Sequence, residues 1–334
     1  MPEKQVRQVA IEEAAEGQRL DNFLARLCGG VPKSHLYRLI RQGQVRVNGR
    51  RAKPESKLAY GDLVRVPPVV GVGALPSAPS PMYQRTAARL ARRLAVVYED
   101  DGLLVVDKPA GTAVHGGSGV TSGAIEQLRA LHPQARFLEL VHRLDRDTSG
   151  LLMVARRRSV LRDLHEALRL RRIRKRYLAV VLGEVPARWQ TVRLPLSRTL
   201  TVDGERRVRP DPDGLSAVTH VRGLGNGVLR GVGPVSLVGV RLETGRTHQI
   251  RVHMACIGHP LLGDVKYGDF AKNRLAAAAG HGRLFLHAAR LGLRHPREDR
   301  ELELEAALPE EFVTVLAQAG IDAGLASRPA DTDV

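Results

Sequence analysis

Residues 137–155 read Phe-Leu-Glu-Leu-Val, then His142-Arg143-Leu144-Asp145-Arg146-Asp147-Thr148-Ser149-Gly150, then Leu-Leu-Met-Val-Ala. Two short apolar runs flank a polar turn, the pattern of two buried strands joined by a loop. Loops held between rigid strands are where chemistry tends to sit. This loop presents a carboxylate, Asp145, between Arg143 and Arg146. Neighbouring cations favour a charged carboxylate, fit to act as a nucleophile or a base. The plain alternative is a turn closed by Asp, Thr and Ser with arginines facing water.

Composition narrows the choice of partner. The 334 residues carry 52 Lys and Arg against 35 Asp and Glu, a net charge of +17. Such an excess points to a polyanion: nucleic acid or an acidic membrane surface. No apolar run approaches the ~20 residues of a membrane span, and Met-Pro-Glu-Lys-Gln opens the chain without an apolar signal core. Membrane association and DNA-binding motifs are therefore not expected. Only Cys28 and Cys256 are present, compatible with a reducing cytoplasm and too few for a metal cluster. Neither a metal nor an organic cofactor is expected, and the chain reads as a monomer.

Outward from the central loop, residues 1–16 are polar and read as a flexible arm. Leu20, Phe23, Leu24 and Leu27 recur at helical spacing. A second helix is predicted after Pro32, with Ser34 as N-cap and Leu36, Leu39 and Ile40 on its apolar face. Asn48-Gly49 is a strong hairpin signal between short strands. Residues 67–81, rich in Pro, Gly, Val, Ala and Ser, read as a linker, and 85–94 as a basic helix. Residues 96–109 read strand, acidic turn, strand, and the glycines after His115 read as a flexible loop without the Walker pattern. Helix is predicted over 121–131, and the basic run 156–176 carries a leucine stripe at Leu161, Leu164 and Leu168. Residues 183–235 read as peripheral hairpins, and 320–334 as a disordered tail. His248 and His253 stand five apart with no glutamate between them, so the zinc-protease reading fails.

The central loop, His142 through Leu152, resembles the signature of the RluA family of RNA pseudouridine synthases. Gly245-Arg246-Thr247-His248-Gln249-Ile250-Arg251 and Leu284-Phe285-Leu286-His287-Ala288-Ala289 match further family segments, in the expected order. The resemblance implies that uracil is detached from its ribose, rotated and rejoined through carbon. It places the catalytic aspartate on Asp145, its arginine partner on Arg251 and the base-packing tyrosine on Tyr177. It also implies that Arg143 helps displace the target base, and that His142, Thr148 and Leu286 bind substrate.

Residues 17–68 resemble an S4 RNA-binding domain, which implies RNA contacts from Lys33, Ser34, Arg38, Arg41, Arg46 and Asn48. The expected fold is α+β. A flexible arm (1–16) precedes an S4 domain with linker (17–80), then a catalytic domain (81–319) with a mixed, largely antiparallel sheet. The implied reaction is isomerisation of uridines, with 23S ribosomal RNA as substrate, in the cytoplasm. The rival readings are a non-catalytic RNA-binding assembly factor, or the same chemistry on another RNA.

Overall fold

In a computed structural model, which describes residues 6–11, 15–28, 31–68, 94–116, 122–200 and 206–327, the first strand is one that composition hides. β1 (Arg7–Ala10) pairs antiparallel with β4 (Leu63–Val66). For residues 7–10 this corrects the reading as part of a flexible arm. An edge strand is held by main-chain hydrogen bonds, so its side chains can stay polar. Between these strands lie α1 (Leu20–Leu27), α2 (Lys33–Arg41), β2 (Arg46–Val47) and β3 (Arg50–Arg51), in a sheet ordered β1-β4-β2-β3. Asn48 and Gly49 take left-handed φ values of 51° and 75°, as a two-residue hairpin turn requires. Leu20, Leu24, Leu36 and Ile40 close the core of this unit. α2 starts directly after Pro32, so Ser34 falls inside the first turn and is not the N-cap.

Contacts divide the chain into Met1–Ala88 and Arg89–Val334. Most of the linker and basic-helix readings, part of the glycine loop, and residues 328–334 lie outside the described residues.

The second unit is built on a ten-stranded sheet. Its strands are β5 (Ala95–Glu99), β6 (Leu103–Lys108), β7 (Glu139–Leu140), β8 (Ser149–Ala155), β9 (Arg174–Leu182), β10 (Gln190–Arg193), β13 (Val218–Leu229), β14 (Gly233–Leu242), β15 (Leu286–Arg294) and β16 (Glu301–Glu305). The order is β10-β13-β14-β9-β15-β8-β6-β5, with β7 on β8 and β16 on β15. A separate hairpin is formed by β11 (Leu196–Leu200) and β12 (Arg206–Pro210). Among the described strands the β15–β8 pair is parallel and the others are antiparallel. The fold is α+β with a mixed, mostly antiparallel sheet.

Every residue of β8 is buried, as the run Leu-Leu-Met-Val-Ala predicts. β9 alternates instead. Tyr177, Ala179 and Val181 face one core with Ile250 and Met254, and Leu178, Val180 and Leu182 face another with Phe285 and Phe312. The first face packs against α3 (Ala124–Leu131) and α5 (Gln249–Cys256). The helix Arg158–Arg169, α4, packs through Val160 and Leu164. α6 spans Phe270–Ala278, and α7, Glu310–Gln318, covers the second face with Phe312, Val315 and Leu316.

Two further readings are corrected. Residues 183–235 are not all peripheral: β13 is a twelve-residue strand of the main sheet. Its glycines mask the strand signal because backbone approaches closely. A Cβ at Gly223 would lie 2.1 Å from the Val185 carbonyl oxygen, and one at Gly227 2.0 Å from that of Ala319. The expected disordered tail begins too early as well. Ile321 is buried, and Ala323–Ser327 forms a 3₁₀ turn whose Leu325 packs on the second core. Among the described residues no helix is long and apolar enough to cross a membrane.

Candidate active site

The loop after β7 is fixed at both ends by basic side chains, half-buried His142 and buried Lys108. His142 accepts the Met153 backbone N–H at Nε2, 3.1 Å, and burial pushes its pKa down to about 4. A neutral imidazole therefore ties the start of the loop to β8. Lys108, wholly buried, donates to the carbonyls of Pro109, Thr112 and Arg146 at 3.0, 2.8 and 3.0 Å. Burial pushes its pKa down to about 7, against the opposing pull of Asp147 and Asp145.

So held, the loop places Asp145 in an open cleft of about 550 Å³. The cation that reaches Asp145 is not one of its sequence neighbours. Arg146 turns away to the Gly111 carbonyl, 3.1 Å, and Arg143 is exposed where it lines the cleft. Arg251, from α5, donates through Nη1 to Asp145 Oδ2 at 3.4 Å. Its other nitrogens grip Asp264, Nε to Oδ2 and Nη2 to Oδ1, both at 2.7 Å. Both partners are nearly solvent-free, 5% and 1% exposed. Burial works against the guanidinium charge, but the hydrogen bonds and charge of Asp264 prevail and raise the Arg251 pKa. Burial likewise opposes the Asp264 carboxylate, and Arg251 more than compensates, lowering its pKa. Removing one member of such a buried pair strands the other's charge.

Tyr177 stands on β9 and lines the same cleft. Burial, then the charge of Asp145, push its hydroxyl pKa up. Leu286 and Thr148 line the cleft too. The structure thus brings Asp145, Tyr177, Arg251, Arg143, His142, Thr148 and Leu286 to one place, although the His142 Nε2 is occupied by the backbone. Lys175, Arg169, Arg171 and Arg246 add a basic lining. Arg171 and Arg169 have glutamate partners. Lys175 faces the cleft with its pKa pushed down by burial.

The six residues assigned to RNA contact in the first unit divide differently. Ser34, Arg38 and Arg41 are exposed on α2, with Arg38 touching His35 Nδ1 at 2.8 Å; the Lys33 side chain lies outside the described set. Arg46 donates to the carbonyls of Gly43 and Gly49. Asn48 donates to Asp62 and accepts the Leu63 N–H. Both ends of the Asn48 amide thus tie the turn to Asp62 and Leu63.

Sequence reasoning gave no role to Asp264, Lys108 or the pair His248 and Tyr267. An ion pair between Arg251 and Asp264 has no periodic signature in the sequence. A metal fits poorly anywhere among the described residues. The one group of suitable spacing, Asp100, His295 and Glu298, lies outside the cleft lining. Asp100 there already accepts Tyr98, His295 and two backbone N–H groups.

Comparison with known proteins identifies the family. Residues 102–256 match the RNA pseudouridylate synthase family and residues 18–64 match the S4 domain. The chain is 49% identical over 307 residues to ribosomal large subunit pseudouridine synthase C of Escherichia coli (strain K12), covering 91% of this chain and 94% of that protein. It is 45% identical over 318 residues to the protein of the same name from Vibrio cholerae serotype O1, covering 94% and 98%. Among solved structures, human RNA Pseudouridylate Synthase Domain Containing 4 superposes with a TM-score of 0.57 at 28% identity, over 71% of this chain and 98% of that one. A sequence match over nine-tenths of the chain and a fold match over 71% of it lead to one conclusion: this protein belongs to the RNA pseudouridylate synthase family, with an S4 domain ahead of its synthase domain.

Proposed function

We propose that the protein isomerises specific uridines of large-subunit ribosomal RNA to pseudouridine, with Asp145 as the catalytic carboxylate. The observation that carries this reading is the Asp145 carboxylate in a basic-lined cleft, 3.4 Å from a buried arginine and beside a buried tyrosine. The target base must leave its stack to meet such a group. Arg143, exposed beside the loop, fills the space the base leaves. Tyr177 and Leu286 pack on the uracil; stacking on an aromatic ring contributes ~1–3 kcal/mol. Asp145 starts the break of the N1–C1′ bond. The base turns, C5 bonds to C1′, and the C5 proton is exchanged for one on N1, so the product has unchanged mass. Arg251, itself fixed by Asp264, keeps the carboxylate oriented. Lys175 supplies a cleft-facing cation for a backbone phosphate.

The S4 unit adds affinity through Ser34, Arg38 and Arg41 on the exposed face of α2. One chain supplies every residue named, so a monomer suffices, acting in the cytoplasm where ribosomal RNA is assembled. The rival non-catalytic assembly factor has no use for an Asp145–Arg251–Asp264 array. Large-subunit ribosomal RNA made without modification, incubated with the protein, should acquire pseudouridine at a few defined positions, read by a base-specific chemical adduct. Tight binding with no new adduct would favour the assembly factor.

A further inference from the structure

His248 holds a position that neither its sequence nor packing demands. It precedes α5 with φ 53° and ψ 18°, the left-handed region uncommon for a side chain with a Cβ. That backbone swings the imidazole into the cleft, where it is 15% exposed. Its Nε2 lies 3.9 Å from Asp145 Oδ2, the same oxygen that Arg251 Nη1 addresses at 3.4 Å. The Arg251 and His248 contacts thus fall on one oxygen of the carboxylate.

The far side of the ring is held as firmly. His248 Nδ1 is 2.7 Å from the Tyr267 hydroxyl. That hydroxyl accepts the Val208 backbone N–H at 3.0 Å, so its own proton is free to point at Nδ1. The rings meet edge to face, centroids 5.5 Å apart, and the Arg251 guanidinium lies 5.1 Å from the centre of the Tyr267 ring. The charged groups acting on His248 are Asp145, Arg251, Lys266 and Asp264. Burial, the largest influence, favours a neutral ring. In a neutral ring one nitrogen carries the proton and the other accepts. With the proton on Nδ1, the bare Nε2 would face a carboxylate oxygen; with it on Nε2, both neighbours are satisfied.

We propose that His248, fixed by Tyr267 as the Nε2–H tautomer, is a positioning residue for Asp145: with Arg251 it engages Oδ2 and leaves Oδ1 to meet the uridine. The separation of 3.9 Å is longer than a hydrogen bond, and such contacts tighten when substrate closes the site. The inference rests on the reading of Asp145 as the catalyst.

The test combines a tautomer measurement with kinetics on the full chain. Nitrogen-15 NMR of histidine-labelled protein should find His248 protonated at Nε2 and bare at Nδ1, a signature that Tyr267→Phe abolishes. A proton on Nδ1 overturns the proposal. His248→Gly removes the ring at a backbone position glycine prefers, so folding is not at risk. His248→Gly and Tyr267→Phe should each lower kcat by about tenfold, with KM for RNA nearly unchanged. The double variant should fall no further than His248→Gly, because both act through one chain of contacts. Added imidazole should restore part of the His248→Gly rate. Wild-type kcat in His248→Gly beside an inactive Asp145→Asn defeats this proposal alone. An active Asp145→Asn defeats the underlying reading instead.

Discussion

His142 opens the Asp145 loop as a neutral acceptor, and that has a cost in acid. An unfolded histidine takes a proton below about 6.5, whereas this half-buried ring resists until about 4. His287, fully buried and likewise lowered to about 4, behaves alike. The folded value lies below the unfolded one. Stability is therefore full above the unfolded value and lost as pH falls toward the folded one, roughly 1–2 kcal/mol per histidine by pH 5. His142→Gln keeps an acceptor for the Met153 N–H and cannot titrate. Urea unfolding across this window should show a pH slope shallower by about one proton in the variant; an unchanged slope would show that His142 is protonated in the fold. At this scale the sequence exposes Asp145, Tyr177 and Arg251 through matched motifs, but not who touches whom. Arg143 and Arg146 flank Asp145 in the chain, yet the guanidinium that reaches it comes from Arg251, 106 positions away. Asp264 stays silent because a buried ion pair leaves no pattern in a linear sequence.

Among the elements, the seam between β8 and β15 positions the loop. It is parallel, with Ser149 opposite His287 and Gly150 opposite Ala288. Gly150 takes φ 110°, and a Cβ there would lie 2.3 Å from the Ala288 carbonyl oxygen and 2.6 Å from its nitrogen. Gly150→Ala meets a left-handed backbone and a backbone clash together. It should cost ~2–4 kcal/mol of stability and lower activity by shifting Asp145. Denaturation and turnover assays check both; a variant as stable as wild type would mean the seam yields. Strands of continuous apolar residues, such as β8, are legible in sequence. β13 is not, because Gly223 and Gly227 make room for neighbouring backbone. β1 is not, because an edge strand held by main-chain bonds needs no apolar side chains. The turn at Ala323–Ser327 is not, because its anchors are a few isolated apolar residues.

For the whole molecule, the proposed function divides the work between the net charge of +17 and the cleft: the basic surface binds, and one carboxylate reacts. Removing residues 1–80 takes away the exposed cations of α2, including Arg38 and Arg41. RNA affinity should then fall and depend less steeply on salt, since fewer phosphates are neutralised. An identical salt slope in the shortened chain would show that the first unit makes no phosphate contact. The same division makes Asp145→Asn the most direct test of the account. The amide has nearly the same shape but can neither attack nor accept the proton, while the cations and Tyr177 remain. Affinity for unmodified ribosomal RNA should stay within about tenfold of wild type, or ~1.4 kcal/mol, with no pseudouridine formed in a chemical-adduct assay. Substantial turnover by an Asp145→Asn preparation free of deamidated protein would contradict the mechanism.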